Sequence, residues 1–263
     1  MTVPLRIAFD LDGVLADMES ELVRQAETLF GERMTRPLQL PADAAQTPPP
    51  SAPSETPATA PDSKSETLVG AETCLWELPP LVRLRMTARQ QSNLWRRVET
   101  IGGFWESLEE IESGAVSRLA ALTANRRWEV IFLTKRLQCA GATAQVQSQR
   151  WLESKGFTLP SVYVVQGSRG RIAAALGLDF VVDDRPENCL DVVVDSKARA
   201  ILVWREDEKR LPAAARRLGI GVVKSVNECL DILTDIDSPP QERPDVMDRV
   251  MRLLGLKSEP VNM

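Results

Sequence analysis

The sequence predicts a three-layer α/β fold, with a parallel sheet between two layers of helices. Two observations support this prediction: short apolar runs alternate with helical patterns over the second half of the chain, and several of these runs end in polar residues. Strands separated by helices of this length are typical of a parallel sheet that is covered on both faces. The chain of 263 residues is long enough for such a domain and a smaller accessory unit.

The first half of the chain is predicted to contain one strand and several helices. Residues 5–9 form a short apolar run that leads into acids, as a buried parallel strand does. Apolar residues recur at helical spacing over Met18–Phe30, and the pattern ends at Gly31. Residues 88–101 and 117–125 also have helical spacing.

The second half alternates between the two element types. Strands are predicted at 129–133, 162–165, 180–182, 200–204 and 221–223, and helices at 142–154, 171–176 and from Pro186. We therefore expect a Rossmann-like core with a helical insertion, called the cap below, after the first strand. The predicted core comprises 1–15 and 112–240, the cap 16–111, and a C-terminal helix or tail 241–263.

One stretch of the predicted cap has an unusual composition. Residues 37–67 are rich in proline, alanine, serine and threonine. Because proline disrupts the hydrogen bonding of helices and sheets, and few apolar side chains are available for burial, we expect a disordered insertion. A proline-rich ligand for a partner domain is the alternative.

The composition excludes several kinds of chemistry. The chain contains no histidine, which rules out a Ser-His-Asp triad, a Cys-His pair and a His-ligated zinc site. Its net charge of −5 provides no basic field for a nucleic acid polymer or a membrane surface. The four cysteines form no CxxC pair and are expected to be free thiols. Since no secretion signal or membrane span is evident, a cytoplasmic location is expected.

Polar residues follow three of the predicted strands. Asp10 and Asp12 lie in a DLDG sequence after the first strand, Thr134 follows the second, and the pair Asp183-Asp184 follows the fourth. Taken singly, the DLDG sequence could be a turn or a calcium-loop fragment, and the acidic pair could cap a helix. Their joint placement at strand ends, where α/β sheets bind ligands, favours a single site.

These residue types suit metal-assisted phosphoryl transfer. Converging carboxylates would repel one another without a cation, and Mg²⁺ prefers oxygen ligands. Asp10 could attack phosphorus to give an aspartyl phosphate. Asp12 could protonate the leaving oxygen and later deprotonate a water, while the hydroxyl of Thr134 holds a phosphoryl oxygen.

The same motifs resemble those of the haloacid dehalogenase-like (HAD) phosphatase superfamily. The first motif is IAFDLDGV at 7–14, the second IFLT at 131–134, and the fourth FVVDD at 180–184. The resemblance implies that Asp10 is the nucleophile and Asp12 the acid/base. It also implies a Mg²⁺ ion held by Asp10, the carbonyl of Asp12 and one or both of Asp183 and Asp184.

The third motif of this superfamily is usually a lysine, and the equivalent stretch here, GSRGR at 167–171, contains only arginines. Arg171, at the predicted helix start, is our first choice for the phosphate-binding cation, and Arg169 is the second. Lys135 beside Thr134 is a further source of positive charge. For each of these residues a solvated basic turn is the alternative.

Part of the chain resembles the deoxyribonucleotidase-like branch of the superfamily. The similar sequences are NLW at 93–95, GFWESL at 103–108 and DDRP at 183–186. If the likeness extends to substrate, Trp95, Phe104 and Trp105 could stack on a nucleotide base. Packing among the cap helices is the alternative.

The expected function is therefore Mg²⁺-dependent hydrolysis of a phosphomonoester, with a small phosphorylated metabolite, including a 5′-nucleotide, as substrate. Two alternatives stay open: a phosphotransferase or mutase of the same fold, and a catalytically silent protein that binds a phosphorylated ligand. The sequence makes no prediction about the oligomeric state.

Overall fold

A computed structural model describes residues 4–31 and 86–238. The described strands are β1 (Arg6–Asp10), β2 (Glu129–Thr134), β3 (Ser161–Val164), β4 (Phe180–Asp183), β5 (Arg199–Val203) and β6 (Gly221–Val223). They form one sheet in the order β3-β2-β1-β4-β5-β6, and each neighbouring pair is parallel. The proline-rich stretch 37–67 and the tail 241–263 lie outside the described residues.

Helices connect these strands. They are α1 (Met18–Phe30), α2 (Ala88–Glu99), α3 (Ala115–Arg126), α4 (Ala144–Ser154), α5 (Arg169–Leu176), α6 (Pro186–Asp195), α7 (Ala213–Arg217) and α8 (Val226–Asp237), with short 3₁₀ helices at Phe104–Glu106 and Glu208–Arg210. Within the two described ranges, no helix combines the length and the apolar character that crossing a membrane requires.

Side chains of β1 alternate between two apolar clusters, because successive residues of a strand point to opposite faces of the sheet. Ile7 and Phe9 belong to a cluster that includes buried residues of α1 to α4 and α8. Ala8 belongs to a second cluster, which includes buried residues of α5, α6 and α7. Helices thus cover both faces of a parallel sheet, and the predicted three-layer α/β fold is confirmed.

Polar side chains at the helix starts fix where α2 and α5 begin. Thr87 and Gln90 form a reciprocal capping box at the start of α2. The side chain of Ser168 accepts a hydrogen bond from the backbone N–H of Arg171. This cap makes Arg169 the first residue of α5, so the helix begins before the predicted start at Arg171.

The segment that follows β1, at 15–17, lies beside the segment at 109–111, which leads back to the sheet. The backbone N–H of Asp17 donates to the carbonyl of Glu109 at 2.9 Å, and that of Ile111 donates to the carbonyl of Leu15 at 2.9 Å. The described helices between these segments are α1, α2 and the 3₁₀ helix Phe104–Glu106, in agreement with a helical insertion after the first strand. The exact division into core and cap stays a prediction.

Candidate active site

Three adjacent strands deliver polar side chains to one edge of the sheet. Asp10 ends β1, Thr134 ends β2 and Asp183 ends β4, and β1 lies between the other two strands. All three residues are buried. Since the strands are parallel, their carboxyl ends open at the same edge, which is where α/β sheets bind ligands.

Arg169 joins the acids of two strands. Its side chain is 2% exposed. Nη2 donates to Oδ1 of Asp10 at 2.5 Å and to the carbonyl of Leu133 at 3.3 Å, and Nε lies 3.6 Å from Oδ2 of Asp183. Nε and Nη1 are buried and have no hydrogen-bond partner within the described part of the chain. The guanidinium therefore has donors available for an anion held beside Asp10.

Close packing of α5 on α6 brings Arg169 to this position. A Cβ added to Gly170 would lie 2.0 Å from the carbonyl oxygen of Asp191 in α6, so only glycine allows this approach. Arg171 lies on the outer side of α5. Its side chain is 85% exposed and its Nε is 4.0 Å from Asp195.

The structure therefore does not bring Arg171, the first choice from the sequence, into the acidic cluster. The physical reason is the helix start. With Ser168 as the cap, Arg169 occupies the first position of α5 and turns inward, and Arg171 turns outward. Arg169 takes its place as the candidate cation. Lys135, the other candidate, is half-buried next to Thr134.

The two acids that follow β4 have different surroundings. Asp183 is fully buried and accepts 3.0 Å hydrogen bonds from the side-chain amide of Asn188 to both of its oxygens, and one of 2.9 Å from the N–H of Arg185. Asp184 is half-buried, and its Oδ1 is out of reach of solvent and has no described hydrogen-bond partner. An added Cβ on Gly13, whose φ is +85°, would lie 2.0 Å from Oδ2 of Asp184. The DLDG glycine thus leaves room for this carboxylate.

Burial raises the pKa values of three carboxylic acids at this site. Burial, then the charge of Asp183, raises the pKa of Asp10 well above its ordinary value, and Arg169 opposes this rise. Burial also raises the pKa of Asp183, against the effects of Arg169 and the hydrogen bonds from Asn188. Burial and the charge of Asp183 raise the pKa of Asp184 to about 8. A cation among these groups would remove much of their mutual repulsion.

The donor set fits a hard divalent cation such as Mg²⁺. Within residues 4–31 and 86–238, no three acidic or cysteine side chains form a ready cluster around one point. Mg²⁺ is usually held by only one or two carboxylates together with other oxygens and water. Asp10, the carbonyl of Asp12 and the unpaired Oδ1 of Asp184 are suitable ligands of this kind, and Asp183 is already occupied by hydrogen bonds.

Asp12 is held by two residues that follow or end β2. The hydroxyl of Thr134 donates to Oδ2 of Asp12 at 3.1 Å. Arg136, which is 2% exposed, donates from Nε and Nη2 to the same carboxylate at 2.8–3.1 Å. Arg136 is not among the site residues expected from the sequence. The available signal was its spacing, because residues two apart in an extended segment point to the same side, and Arg136 is two positions after Thr134.

A further arginine forms hydrogen bonds with the backbone of the turn that contains Asp12. Arg205, just beyond β5, donates to the carbonyls of Gly13 at 2.6 Å and Val14 at 3.2 Å. It also pairs with Glu112 at 2.9 Å. Glu112 in turn accepts a hydrogen bond from the N–H of Val226 at the start of α8. Burial opposes ionisation of Glu112, but these hydrogen bonds outweigh it and lower its pKa.

The three aromatic residues considered for base stacking lie in the apolar core. Trp95, Phe104 and Trp105 are at most 5% exposed. The rings of Phe104 and Trp105 meet edge to face at 4.8 Å, and the indole N–H of Trp105 donates to the carbonyl of Leu137 at 2.9 Å. None of the three presents an open face to a nucleotide base in this structure, which agrees with the packing alternative.

No protein-family model matches the chain, and no curated protein matches it. Solved structures do. An HAD-family hydrolase from Deinococcus radiodurans R1, with bound phosphate and sodium, is similar at 18% identity and a TM-score of 0.47, over 89% of this chain and 97% of that one. A haloacid dehalogenase-like hydrolase from Streptococcus pneumoniae has 13% identity and a TM-score of 0.47, over 89% and 100%. A similar hydrolase from Xanthomonas campestris has 15% identity and a TM-score of 0.44, over 90% and 97%.

Proposed function

We propose that the chain is an HAD-type, Mg²⁺-dependent phosphomonoester hydrolase in which Asp10 is the nucleophile. The observation that carries this proposal is the contact between the buried carboxylate of Asp10 and the buried guanidinium of Arg169, whose Nε and Nη1 have no hydrogen-bond partner within the described residues. A fixed carboxylate beside cationic donors that lack a hydrogen bond suits attack on a phosphoryl group whose oxygens those donors bind.

Each residue of the site has a defined task in this proposal. Arg169 binds phosphoryl oxygens through Nε and Nη1 and orients Asp10 through Nη2. The hydroxyl of Thr134, which donates to Asp12 in this structure, can rotate to bind another phosphoryl oxygen. Asp10, the carbonyl of Asp12 and Asp184 would hold Mg²⁺. When bound, this ion would supply positive charge that offsets repulsion between carboxylate and phosphate.

The reaction proceeds in two displacements at phosphorus. An oxygen of Asp10 forms a bond to phosphorus as the ester P–O bond breaks, and the leaving oxygen takes a proton from Asp12. A water oxygen then attacks the phosphorus of the aspartyl phosphate, gives a proton to Asp12 and releases inorganic phosphate. Asp10 returns as a free carboxylate, and Asp12 is protonated again for the next cycle.

The alternative of a silent binding protein has two supports in the sequence, the missing third-motif lysine and the proline-rich stretch 37–67. Arg169 weakens the first support, because it offers a cation in contact with both Asp10 and Asp183. No described feature favours transfer of the phosphoryl group to a substrate hydroxyl over transfer to water. For the ester itself we propose a small phosphorylated metabolite. Nucleoside monophosphates belong in the substrate panel, although Trp95, Phe104 and Trp105 give no support to a nucleotide substrate.

A substrate panel tests this proposal. Nucleoside monophosphates, sugar phosphates and an aryl phosphate would be incubated with the full chain and Mg²⁺, and released phosphate measured. We expect turnover of at least one ester, with loss of that turnover in EDTA and in D10N. Turnover that persists in D10N would contradict the role of Asp10. Silence of the wild-type chain across the panel, together with Mg²⁺-dependent binding of a phosphate analogue, would favour the binding alternative.

A further inference from the structure

Arg136 is a buried cation whose three side-chain nitrogens all donate to two residues, Asp12 and Ser148. Nε lies 3.1 Å and 3.0 Å from Oδ1 and Oδ2 of Asp12, and Nη2 lies 2.8 Å from Oδ1. Nη1 donates to the hydroxyl of Ser148 at 2.8 Å. Its side chain is 0% exposed, and that of Asp12 is 11% exposed. Because the Arg136 side chain is buried and each of its nitrogens already donates a hydrogen bond, it is unsuited to binding substrate directly.

The guanidinium is itself held in place from α4 and the 3₁₀ helix Phe104–Glu106. Ser148 of α4 donates its own hydroxyl proton to the carbonyl of Ala144 at 2.7 Å, so its oxygen accepts from Arg136. The Arg136 guanidinium carbon lies 4.9 Å from the ring centroid of Trp105 and 5.9 Å from that of Trp151. The indole N–H groups of both tryptophans donate to backbone carbonyls, which fixes the rings.

Stability alone does not account for this arrangement. A buried ion pair contributes little net stability, because desolvation of both charges offsets their attraction. A two-point contact between a guanidinium and a carboxylate does impose a defined orientation on the carboxylate. Here the oriented group is the acid/base of the proposed reaction, and catalysis by a proton donor depends steeply on its placement.

We propose that Arg136 is the positioning residue of Asp12. It holds the Asp12 carboxylate in one orientation in the turn that follows β1, so that both proton transfers use a preset geometry. This inference rests on the proposed function for its catalytic consequence. The orientation itself is a property of the folded chain and can be measured without turnover.

The variants are chosen to separate orientation from folding. R136M keeps the length and apolar bulk between the two indoles and removes every donor. R136K keeps the charge but not the two-point contact. R118M is the matched control, because Arg118 pairs with Asp231 and Asn227 and joins α3 to α8 away from the site.

The first measurement is the conformation of Asp12 in crystal structures of the full chain and its variants. We expect the wild type and R118M to show the Asp12 carboxylate against position 136, and R136M to show a different rotamer or several. An Asp12 side chain that keeps its single orientation in R136M would overturn the proposal. If R136M does not fold, R136K answers the same question through displacement of the carboxylate from its two-point contact.

The second measurement is the rate of alcohol release in a single turnover, for an alkyl and an aryl phosphate. In R136M we expect a loss of about 100-fold for the alkyl ester, whose poor leaving group needs a proton, and a loss below about tenfold for the aryl ester. R136K should fall between R136M and the wild type, and R118M should match the wild type. In a D12N background, R136M should have little further effect.

Equal losses for the two esters, or an undiminished effect of R136M in D12N, would overturn a role that acts through Asp12. These outcomes differ from failure of the proposed function. If the wild type releases alcohol from neither ester, the hydrolase proposal fails, while the orientation of Asp12 in R136M still decides whether Arg136 positions it.

Discussion

Arg169 and Asp10 are 159 positions apart in the sequence and meet at 2.5 Å between Nη2 and Oδ1. The contact joins the first residue of α5 to the last residue of β1, with both side chains less than a tenth exposed. The same guanidinium approaches Asp183 at the end of β4. One cation thus ties together the two strand ends that carry the proposed nucleophile and one of the acidic pair.

Replacement of Arg169 should remove most of the activity. In R169M, phosphoryl oxygens lose buried donors and Asp10 loses its fixed partner, so kcat should fall by at least about 100-fold. R169K should retain more activity than R169M because it keeps the positive charge, and less than the wild type because it lacks the planar set of donors. The measurement is steady-state turnover of the best ester from the panel. R171M is the matched control, two residues along the same helix, and should stay near wild type. Equal effects of R169M and R171M would contradict the assignment.

The difference between these arginines shows what the sequence could and could not determine. The GSRGR stretch identified the right segment, but the helix start was placed at Arg171. The starting position depends on Ser168 acting as a cap, and serine and glycine in a row fit several local conformations. Two positions along a helix rotate a side chain by more than half a turn. An error of two residues in the predicted helix start therefore selected the exposed Arg171 instead of the buried Arg169.

Gly170 should be required for both stability and activity. An alanine Cβ there would overlap the backbone of Asp191, which α5 and α6 cannot relieve without separating. We expect G170A to lower the free energy of unfolding by about 1–3 kcal/mol, and to lower kcat because Arg169 precedes it directly. Thermal unfolding and turnover would be measured together. G167A is the control, since a Cβ at Gly167 meets no atom within 4 Å. A wild-type-like G170A would show that this helix contact is not tight.

The stability gained from Mg²⁺ should increase with pH. Burial and Asp183 raise the pKa of Asp184 to about 8, whereas the unfolded chain has an aspartate pKa of about 3.9. Between these values the folded, metal-stripped chain binds a proton that the unfolded chain lacks. This contribution to stability is full below about pH 4 and is lost as the pH rises through about 8. Mg²⁺ competes with that proton, so its binding strengthens over the same range.

Thermal unfolding in EDTA and in Mg²⁺, at about pH 6 and about pH 8, measures this linkage. The same Mg²⁺ concentration is used at both pH values, about 100 times the Kd at the higher pH. We expect the midpoint to rise by about 5–10 °C at the higher pH and by less at the lower pH, where Mg²⁺ binds more weakly. D184N removes both the proton site and a proposed Mg²⁺ ligand, and should reduce the shift and its pH dependence. A shift of the same size at both pH values would argue against Asp184 as a ligand.

The fold and the acidic residues were predictable because their signals are local. Strands of four to six residues such as β4 and β2 are buried on both faces and read as apolar runs, and acids at their ends stand out. The one sequence signal for Arg136 was its two-residue spacing from Thr134. Its proposed role depends on Trp105, Ser148 and Trp151, which are distant in the sequence and contact it in the folded chain.

The central claim is that Asp10 carries the phosphoryl group. D12N with an aryl phosphate offers the most direct test, because the good leaving group departs without a proton and the missing base slows hydrolysis of the intermediate. The variant would be mixed with this ester and Mg²⁺, and the reaction quenched in acid. The protein would then be digested with a protease, and the masses of its peptides measured by mass spectrometry. We predict that the peptide containing Asp10 gains the mass of one phosphoryl group, and that D10N/D12N gains none. Release of the aryl alcohol without phosphorylation of that peptide, or a phosphoryl group on another residue, would contradict the account.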